Sequence, residues 1–380
     1  MKCRYGIMAV VVLLFVCINA SFAQWGWYDT EELLSNVYPV NITNRCVATD
    51  YNGAARIVYE IAGHCYYLNY PSGDPVMFKY NGLSGSRLAS IVRADDGSCH
   101  ITDLGTLVFS NIVHRIPPVN TYDPDTLVIS GSGSLNYPSI VKTIANNKIS
   151  VTWSQKINAI VWELKHRRIG ESSVKTINQV DNTSTGASIG ESGNEIYAVW
   201  GCTSNNKVYF DRTQRNGVQW IYNPDRVIDG TETFFVTPRL AIEGQNIWVA
   251  TAEFNYATPL INILKSTDNG ITWPDVNSYS YNVYTSSPAL SITASPGGNV
   301  YLVFQQGPES DKKLRLMYYN NNSWVLYPDP IWTYTNNSYA SDASIDVFYD
   351  PLYHVDRINV VWNRGDGNHE LWRKMITYNY

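Results

Sequence analysis

Four polar residues occupy equivalent positions in similar segments of the chain. Each segment contains an apolar run whose last residue is usually aromatic, and the polar residue follows two positions later. The four residues are Gln155, Glu253, Gln306 and Arg364, and Cys202 holds this place in a fifth segment. Amide, carboxylate and guanidinium groups on a repeated frame can donate and accept hydrogen bonds toward one ligand. Arg239, at the start of a neighbouring apolar segment, adds a permanent positive charge. The sequence therefore predicts a ligand-binding face built from these four residues and Arg239.

The frame behind these residues is an internal repeat. Segments in which a small residue or proline precedes an aliphatic run recur at intervals of about 50 residues, the length of one repeated sheet. Their first residues are Ala89, Pro138, Ala187, Pro238, Pro288 and Ala343. A second apolar segment follows most of them, as in Ile149 to Trp153 and Ile358 to Trp362. Two further strands per period predict an all-β fold, the β-propeller, with blades of four antiparallel strands.

The number of blades follows from the number of copies. The count is seven when a degenerate copy and a shorter copy beginning at Cys46 are included. If residues 46–128 instead form one distorted blade and an insertion, the propeller has six blades. The last copy, from Ala343, has no fourth strand, and residues 25–40 precede the first copy. We therefore predict that the N-terminal strand closes the ring, which removes an exposed sheet edge. Two β-sandwich domains are the alternative, and the even intervals disfavour them.

The most specific motif is the octapeptide Ser266-Thr267-Asp268-Asn269-Gly270-Ile271-Thr272-Trp273. Its short polar side chains can accept hydrogen bonds from nearby backbone N–H groups, and Gly270 supplies the positive φ that a tight turn requires. An apolar run from Leu260 to Leu264 precedes it. The octapeptide therefore predicts a turn between two strands. Degenerate relatives of it end at Trp220 and Trp324.

The octapeptide resembles the Asp box of the sialidase and BNR-repeat superfamily, whose pattern is Ser-x-Asp-x-Gly-x-Thr-Trp. The matching residues are Ser266, Asp268, Gly270, Thr272 and Trp273. This resemblance implies a propeller in which the octapeptide lies on the outer strands and has a structural role. It implies no catalytic role for these residues.

A second motif, the tripeptide Arg115-Ile116-Pro117, is similar to the Arg-Ile-Pro of the sialidases. The resemblance implies that Arg115 would bind a substrate carboxylate together with two further arginines, because guanidinium groups form bidentate pairs with carboxylates. Sialidases also use an acid, a tyrosine nucleophile and a glutamate. The candidates for the remaining roles are Arg239, Arg364, Asp123, Asp125 and Glu253, and the 28 tyrosines leave the nucleophile open.

Composition and the N-terminus indicate the compartment. Charged residues make up 16% of the chain and aromatic residues 13%, which is typical of secreted all-β proteins, and the net charge of -5 argues against nucleic acid or an anionic membrane as a partner. Lys2 and Arg4 precede a short apolar run that is followed by Ser21-Phe22-Ala23. This pattern predicts a cleaved signal peptide over residues 1–23, no membrane insertion, and one propeller domain over residues 24–380. The mature protein is expected in the periplasm or outside the cell.

Four cysteines remain in the mature chain: Cys46, Cys65, Cys99 and Cys202. An exported protein can keep disulfides, and four cysteines allow three pairings. We predict a bridge between Cys46 and Cys65 because both fall within the first repeat. The cysteine and histidine spacing indicates no metal site, and no motif indicates a cofactor.

Together these patterns favour a secreted, monomeric, non-enzymatic binding module for glycans or cell-surface polymers. A glycoside hydrolase of the exo-sialidase type, acting through Arg115, is one alternative. A structural protein of an extracellular assembly is another. Convergence of Arg115, Arg239 and Arg364 on one site would favour the enzyme.

Overall fold

A computed structural model of the chain describes most of residues 24–380. The described residues are 26–27, 32–35, 40–43, 45–50, 52–71, 73–80, 83–84, 87–94, 96–105, 111–117, 126–130, 135–143, 148–158, 161–178, 184–202, 205–214, 219–221, 226–229, 234–235, 238–254, 260–280, 289–307, 312–320, 322–333, 340–364 and 370–379. The predicted signal peptide, residues 1–23, lies outside them. Among the described residues there is no helix long and apolar enough to cross a membrane.

Seven antiparallel sheets form the blades of a β-propeller, which confirms the predicted fold class and the count of seven. In blades 1 to 6 the chain runs outward from a first strand at the centre of the ring to a fourth strand at its rim, whereas in blade 7 the N-terminal strands supply the outermost strand. Consecutive strands pair with each other, so each blade is a simple meander.

Blades 1 to 3 come from the N-terminal half of the chain. Blade 1 contains Val40–Asn41, Val47–Thr49, Ala55–Ile61, His64–Tyr70 and Val76–Met77, and a ribbon of Lys79–Tyr80 and Leu83–Ser84 follows it. Blade 2 contains Arg87–Arg93, Cys99–Gly105, Asn111–Arg115 and Thr126–Ser130. Blade 3 contains Leu135–Thr143, Lys148–Lys156, Trp162–Arg168 and Lys175–Asn178.

Blades 4 to 7 complete the ring. Blade 4 contains Ser184–Ser192, Glu195–Cys202, Lys207–Gln214, Gln219–Trp220 and Arg226–Asp229. Blade 5 contains Phe234–Phe235, Arg239–Glu243, Asn246–Phe254, Leu260–Ser266 and Asp275–Ser280. Blade 6 contains Leu290–Ala294, Val300–Gln306, Lys313–Asn320, Ser323–Leu326 and Trp332–Thr333. Blade 7 contains Ala340–Asp350, Val355–Arg364 and Glu370–Asn379, with Gly26–Trp27 and Glu32–Ser35.

The N-terminal strands close the ring, as the sequence predicts. Gly26 and Trp27 pair with Thr377 and Ile376, and Glu32 pairs with Arg373. These strands occupy the outer edge of blade 7, so the last sheet contains both the beginning and the end of the propeller. This pairing covers the third strand of blade 7, which would otherwise present unpaired backbone groups at the rim.

The core lies between neighbouring blades because each sheet is apolar on both faces. Trp153, Trp200 and Trp362, at the ends of apolar second strands, are fully buried in three different blade junctions. These three tryptophans therefore pack between blades. The strand register corrects one boundary of the sequence repeat. Leu290 pairs with Phe304 as Ala343 pairs with Trp362, so the copy in blade 6 begins at Leu290. The sequence predicted its start at Pro288, which lies outside the described residues.

Candidate functional site

The first strands of all seven blades surround a cavity of about 260 Å³ on the propeller axis. Small and aliphatic side chains form most of its wall. Four cationic side chains, Arg45, Arg93, Lys142 and Arg239, also line it, together with the carboxylates of Glu191 and Asp346. The lining therefore carries more positive than negative groups, although the whole chain has a net charge of -5.

The first strands are joined around the axis by serine hydroxyl groups. In three places a backbone N–H donates to a serine Oγ of the preceding blade: Leu240 to Ser188 at 3.1 Å, Ile345 to Ser291 at 3.3 Å, and Cys46 to Ser344 at 3.1 Å. Arg239 occupies the corresponding position in blade 5, since it faces Ala250 as Ser188 faces Val199. An arginine thus replaces a serine of this inner ring, and its side chain enters the cavity.

Arg239 is held by blade 6 and faces blade 7. Its Nε donates to the backbone oxygen of Leu290 at 3.1 Å. Burial lowers the pKa of Arg239 to about 10, and the carboxylate of Asp342 opposes this shift. Burial also raises the pKa of Asp342 to about 6, again opposed by Arg239. The guanidinium is therefore charged at neutral pH, in surroundings that compensate only part of its lost hydration.

Arg45, from blade 1, also lines the cavity. Its Nη1 donates to the backbone oxygen of Ile140, which links blade 1 to blade 3 at 2.7 Å. Burial lowers the pKa of Arg45, and the carboxylates of Asp346 and Glu191 oppose this shift. Asp346 in turn accepts a hydrogen bond from Thr49 N at 2.6 Å. Two half-buried arginines from different sides of the ring thus line one cavity.

Sequence reasoning identified Arg239 but missed Arg45, Lys142, Glu191 and Asp346. Three of these lie within or near first strands that are otherwise apolar, and a charged residue in such a strand is the signal that could have found them. The side chain of Arg45 reaches a blade two positions along the ring, and no sequence period reports such a contact.

The four second-strand residues of the predicted face lie at one end of their strands. Gln155 is next to last in its strand, and Gln306 and Arg364 end theirs. The backbone of Glu253 pairs with Phe235 and Leu260, also at the end of its strand. All four therefore lie on the face from which the chain enters the first strands, the face on which the strand of Arg239 begins. Gln306 accepts a hydrogen bond from Arg315 Nε at 2.9 Å. A ligand role for these residues stays a prediction.

Arg115 lies away from the axial cavity. It is buried between blades 1 and 2, where its Nε donates to Asp103 Oδ2 at 2.6 Å and its guanidinium lies 4.9 Å from the centre of the Phe78 ring. Arg239 lines the cavity, so these two arginines do not share a site. Asp123 and Asp125 lie outside the described residues, and the structure describes only the backbone of Arg364.

The octapeptide forms a hydrogen-bonded turn between the third and fourth strands of blade 5, as predicted. Ser266 Oγ donates to Asp268 Oδ1 at 2.8 Å and accepts from Gly270 N at 2.8 Å. Asp268 also accepts from Thr272 N at 2.8 Å and from Thr272 Oγ1 at 2.6 Å. Trp273 packs edge-on against Phe210 of blade 4, with ring centres 5.1 Å apart. This turn is far from the axis and joins two blades.

The predicted Cys46–Cys65 disulfide is wrong, and the four cysteines form no disulfide. Cys46 O accepts from Val58 N, whereas Cys65 pairs with Glu60 on the other side of that second strand. Two strand spacings of about 4.8 Å separate the cysteines, which exceeds the ~7 Å that a disulfide can span. Burial raises the pKa of Cys46 to about 12 and that of Cys65 well above its ordinary value. Both thiols are therefore protonated at neutral pH.

Metal binding has no evident site in the part of the chain that the structure describes, where no group of three or more histidine, cysteine, aspartate or glutamate residues is placed to hold an ion. His100 and His114 come together, with Nδ1 and Nε2 at 3.0 Å, but they form a stacked pair rather than a ligand cluster. Burial, reinforced by His100, lowers the pKa of His114 to about 4. The His114 imidazole is therefore neutral at neutral pH.

No protein-family model and no curated protein matches the chain. Among solved structures, it is similar to a polysaccharide lyase of family PL25, an ulvan lyase bound to -[GlcA(1-4)Rha3S]-, with a TM-score of 0.55 and 13% identity over 93% of this chain and 95% of the lyase. A protein of unknown function from Dyadobacter fermentans gives a TM-score of 0.50 and 13% identity over 80% of this chain and 98% of that one. The NanB sialidase of Streptococcus pneumoniae gives 0.45 and 12% identity over 93% and 70% of the two chains. At these identities the similarity shows the fold alone.

Proposed function

We propose that this protein is an exported, non-enzymatic binding module for acidic glycans or cell-surface polymers, and that Arg239 contacts a carboxylate or sulfate group of the ligand. The observation that carries this proposal is the excess of cationic side chains around the axial cavity in an otherwise acidic protein. A bound anion would form a bidentate, charge-assisted pair with the guanidinium and restore the solvation that Arg239 loses by burial. The similarity in fold to a lyase that was solved with an acidic saccharide supports the same class of ligand.

A binding role fits the described residues better than sialidase chemistry does. Arg115 is occupied by Asp103 and is separated from Arg239, so the described residues do not assemble the arginine cluster that sialidase chemistry would require. The polar residues at the second-strand ends, Gln155, Glu253, Gln306 and Arg364, would extend the contact from the axis across the face.

Titration of the binding affinity for polygalacturonate and dextran sulfate, with dextran as the neutral polymer, tests this proposal. We expect Arg239→Met, which keeps an unbranched side chain, to weaken binding of the acidic polymers by roughly tenfold or more, the effect of losing one charge-assisted hydrogen bond. Arg357→Met is the matched control, because Arg357 also pairs with an aspartate but lies on a hairpin of the opposite face. Equal binding of wild type and Arg239→Met, or equal affinity for dextran, would overturn the proposal.

The pH dependence of the binding affinity tests whether the ligand binds beside Arg239 and Asp342. Because burial raises the pKa of Asp342 to about 6, this carboxyl becomes protonated between pH 7 and pH 5, while the uronate and sulfate groups of the polymers stay charged. Its competition for Arg239 then ends, so the affinity should rise as the pH falls. Asp342→Asn should bind at pH 7 as wild type binds at pH 5. A flat profile in the wild type would place the ligand elsewhere.

Turnover is measured in the same samples. Release of reducing ends or of an ultraviolet-absorbing unsaturated uronate would overturn the non-enzymatic part of the proposal. Hydrolysis of a fluorogenic sialoside that is lost in Arg115→Ala would favour the exo-sialidase alternative. Absence of both binding and turnover would favour a structural protein.

A further inference from the structure

A second concave site lies between blades 5 and 6, on the face opposite to the proposed acidic-glycan site. We name it the 5/6 groove, and its volume is about 520 Å³. The residues that matter for its chemistry are Glu243, Asn246, Trp248, Lys265, Tyr319 and Asn322. Glu243 and Asn246 belong to the hairpin between the first two strands of blade 5, whereas Glu253 lies at the other end of the second strand. A ligand in this groove would therefore not compete with one bound at Arg239.

The groove is open because of one short turn. At the junction of blades 4 and 5, the octapeptide Ser266 to Trp273 covers the corresponding space and packs on Phe210. Blade 6 places Tyr319 where blade 5 has Ser266, since Tyr319 faces Val300 as Ser266 faces Ile247. After Tyr319 the chain turns within a few residues and Trp324 pairs back with it. No octapeptide covers this junction, so the side chains of both blades border an open groove.

The walls of the groove carry donors and acceptors beside aromatic rings. Lys265 Nζ donates to Tyr319 Oη at 3.0 Å and lies 4.8 Å and 5.7 Å from the ring centres of Tyr319 and Trp248. Trp248 is almost fully buried, and its Nε1 has no hydrogen-bond acceptor among the described residues. Asn246 Nδ2 donates to Glu243 Oε2 at 3.3 Å on the blade 5 side of the groove. An ammonium group, amides and a carboxylate therefore border the same space as the two aromatic rings.

These groups match a ligand with many hydroxyl groups. A hydroxyl accepts from an ammonium N–H and donates to a carboxylate, and an amide does both. Lys265 and Glu243 balance each other, so the lining offers no net charge to an ion. The volume lies within the range of about 300–1,000 Å³ that is usual for small-molecule sites. We propose that the 5/6 groove binds a neutral oligosaccharide, with Lys265 and Glu243 as its direct hydrogen-bonding partners.

Isothermal titration of the full mature chain with cellobiose, maltose, lactose and mannobiose tests the proposal. We expect at least one of these disaccharides to bind the wild type, and Lys265→Met and Glu243→Ala each to weaken that binding by roughly tenfold or more, since each removes a hydrogen bond to a charged group. Glu243 lies beside a hairpin turn, so its replacement leaves the fold intact and guards against misfolding of the Lys265 variant.

Two matched variants distinguish the 5/6 groove from the remaining surface of the propeller. Arg212 occupies the position in blade 4 that Lys265 occupies in blade 5, because its backbone pairs with Tyr197 as that of Lys265 pairs with Trp248. It lies at the junction of blades 4 and 5, which the octapeptide covers, so Arg212→Met should leave disaccharide binding unchanged. Arg239→Met should also leave it unchanged while it weakens binding of acidic polymers, so failure of one proposal does not imply failure of the other. Absence of binding by all four disaccharides, binding that survives both groove variants, or loss of binding in Arg239→Met would each overturn the inference. Preferential binding of a uronate disaccharide that is lost in Lys265→Met would overturn the neutral class.

Discussion

The junctions on the two sides of blade 5 differ in one connection. Between blades 4 and 5, the octapeptide lies over the junction: Tyr197 Oη of blade 4 donates to Asn269 Oδ1 at 3.3 Å, and within blade 5 Asn269 N donates to Gln245 O at 3.1 Å. Between blades 5 and 6, the corresponding connection is the short turn after Tyr319, and a groove of about 520 Å³ remains. The strands that border the two junctions have the same order and pairing.

This difference shows how a propeller separates stability from binding. The apolar contacts between blades are continuous at both junctions, since clusters of buried residues span each of them. Covering a junction adds hydrogen bonds and aromatic packing above that core, whereas leaving it open exposes polar side chains to a ligand. A change in the length of one outer turn can therefore convert a structural contact into a binding surface without altering the sheets.

The largest expected difference between the junctions concerns their glycines. Gly270 has φ of +80°, and a Cβ there would lie 2.3 Å from Phe210 Cζ, on a ring that is fully buried and held by Trp273. Gly298, beside the groove, has φ of +93° with no atom within 4 Å of such a Cβ. We expect Gly270→Val to lower the free energy of unfolding by about 3 kcal/mol or more, and Gly298→Val by about 1–2 kcal/mol from backbone strain alone. Urea denaturation of both variants measures this, and equal losses would contradict the comparison.

The octapeptide turn could be predicted from the sequence because its hydrogen bonds are local. Ser266, Asp268 and Thr272 satisfy one another within a few residues, so their types and spacing are sufficient to predict a turn between strands. The seven blades could be counted for a similar reason, since each copy forms its own sheet. The groove could not be predicted, because it depends on how the turn of blade 6 meets the hairpin of blade 5.

The axial site shows the same limit. Arg239 could be selected as a cation at the start of an apolar segment, but its contact with Leu290 and its proximity to Asp342 join three blades. The Cys46–Cys65 prediction failed for the opposite reason. Closeness along the chain suggested contact, whereas an entire strand lies between the two cysteines, and that strand order does not follow from the spacing of the cysteines.

A smaller difference in the free energy of unfolding is expected when one hydroxyl group is removed at the start of each connection. Ser266 is fully buried, and Ser266→Ala removes the acceptor of Gly270 N, which should cost about 1–3 kcal/mol. Tyr319→Phe removes the hydroxyl that meets Lys265 Nζ at the open junction, where water can replace it, and should cost about 0.5–1 kcal/mol. Thermal and urea unfolding of both variants gives the two values. A larger loss for Tyr319→Phe than for Ser266→Ala would show that the open junction is the more tightly held of the two.

The smallest expected difference is in acid. Burial alone would raise the pKa of Asp268, but hydrogen bonds from Thr272, Ser266 and Ile271 outweigh it and lower the pKa to about 2. Because the folded-state pKa lies below the unfolded value of about 3.9, this carboxylate stabilises the fold above about pH 4, and its contribution is lost as the pH falls toward 2. The cost of Asp268→Asn should therefore be greatest near pH 6 and shrink on acidification. The turn Asn320 to Ser323 contains no carboxylate, so the cost of Asn322→Ala should be the same at each pH. Urea denaturation at pH 6, 4 and 2.5 measures both profiles, and parallel profiles for the two variants would mean that Asp268 does not act through its charge.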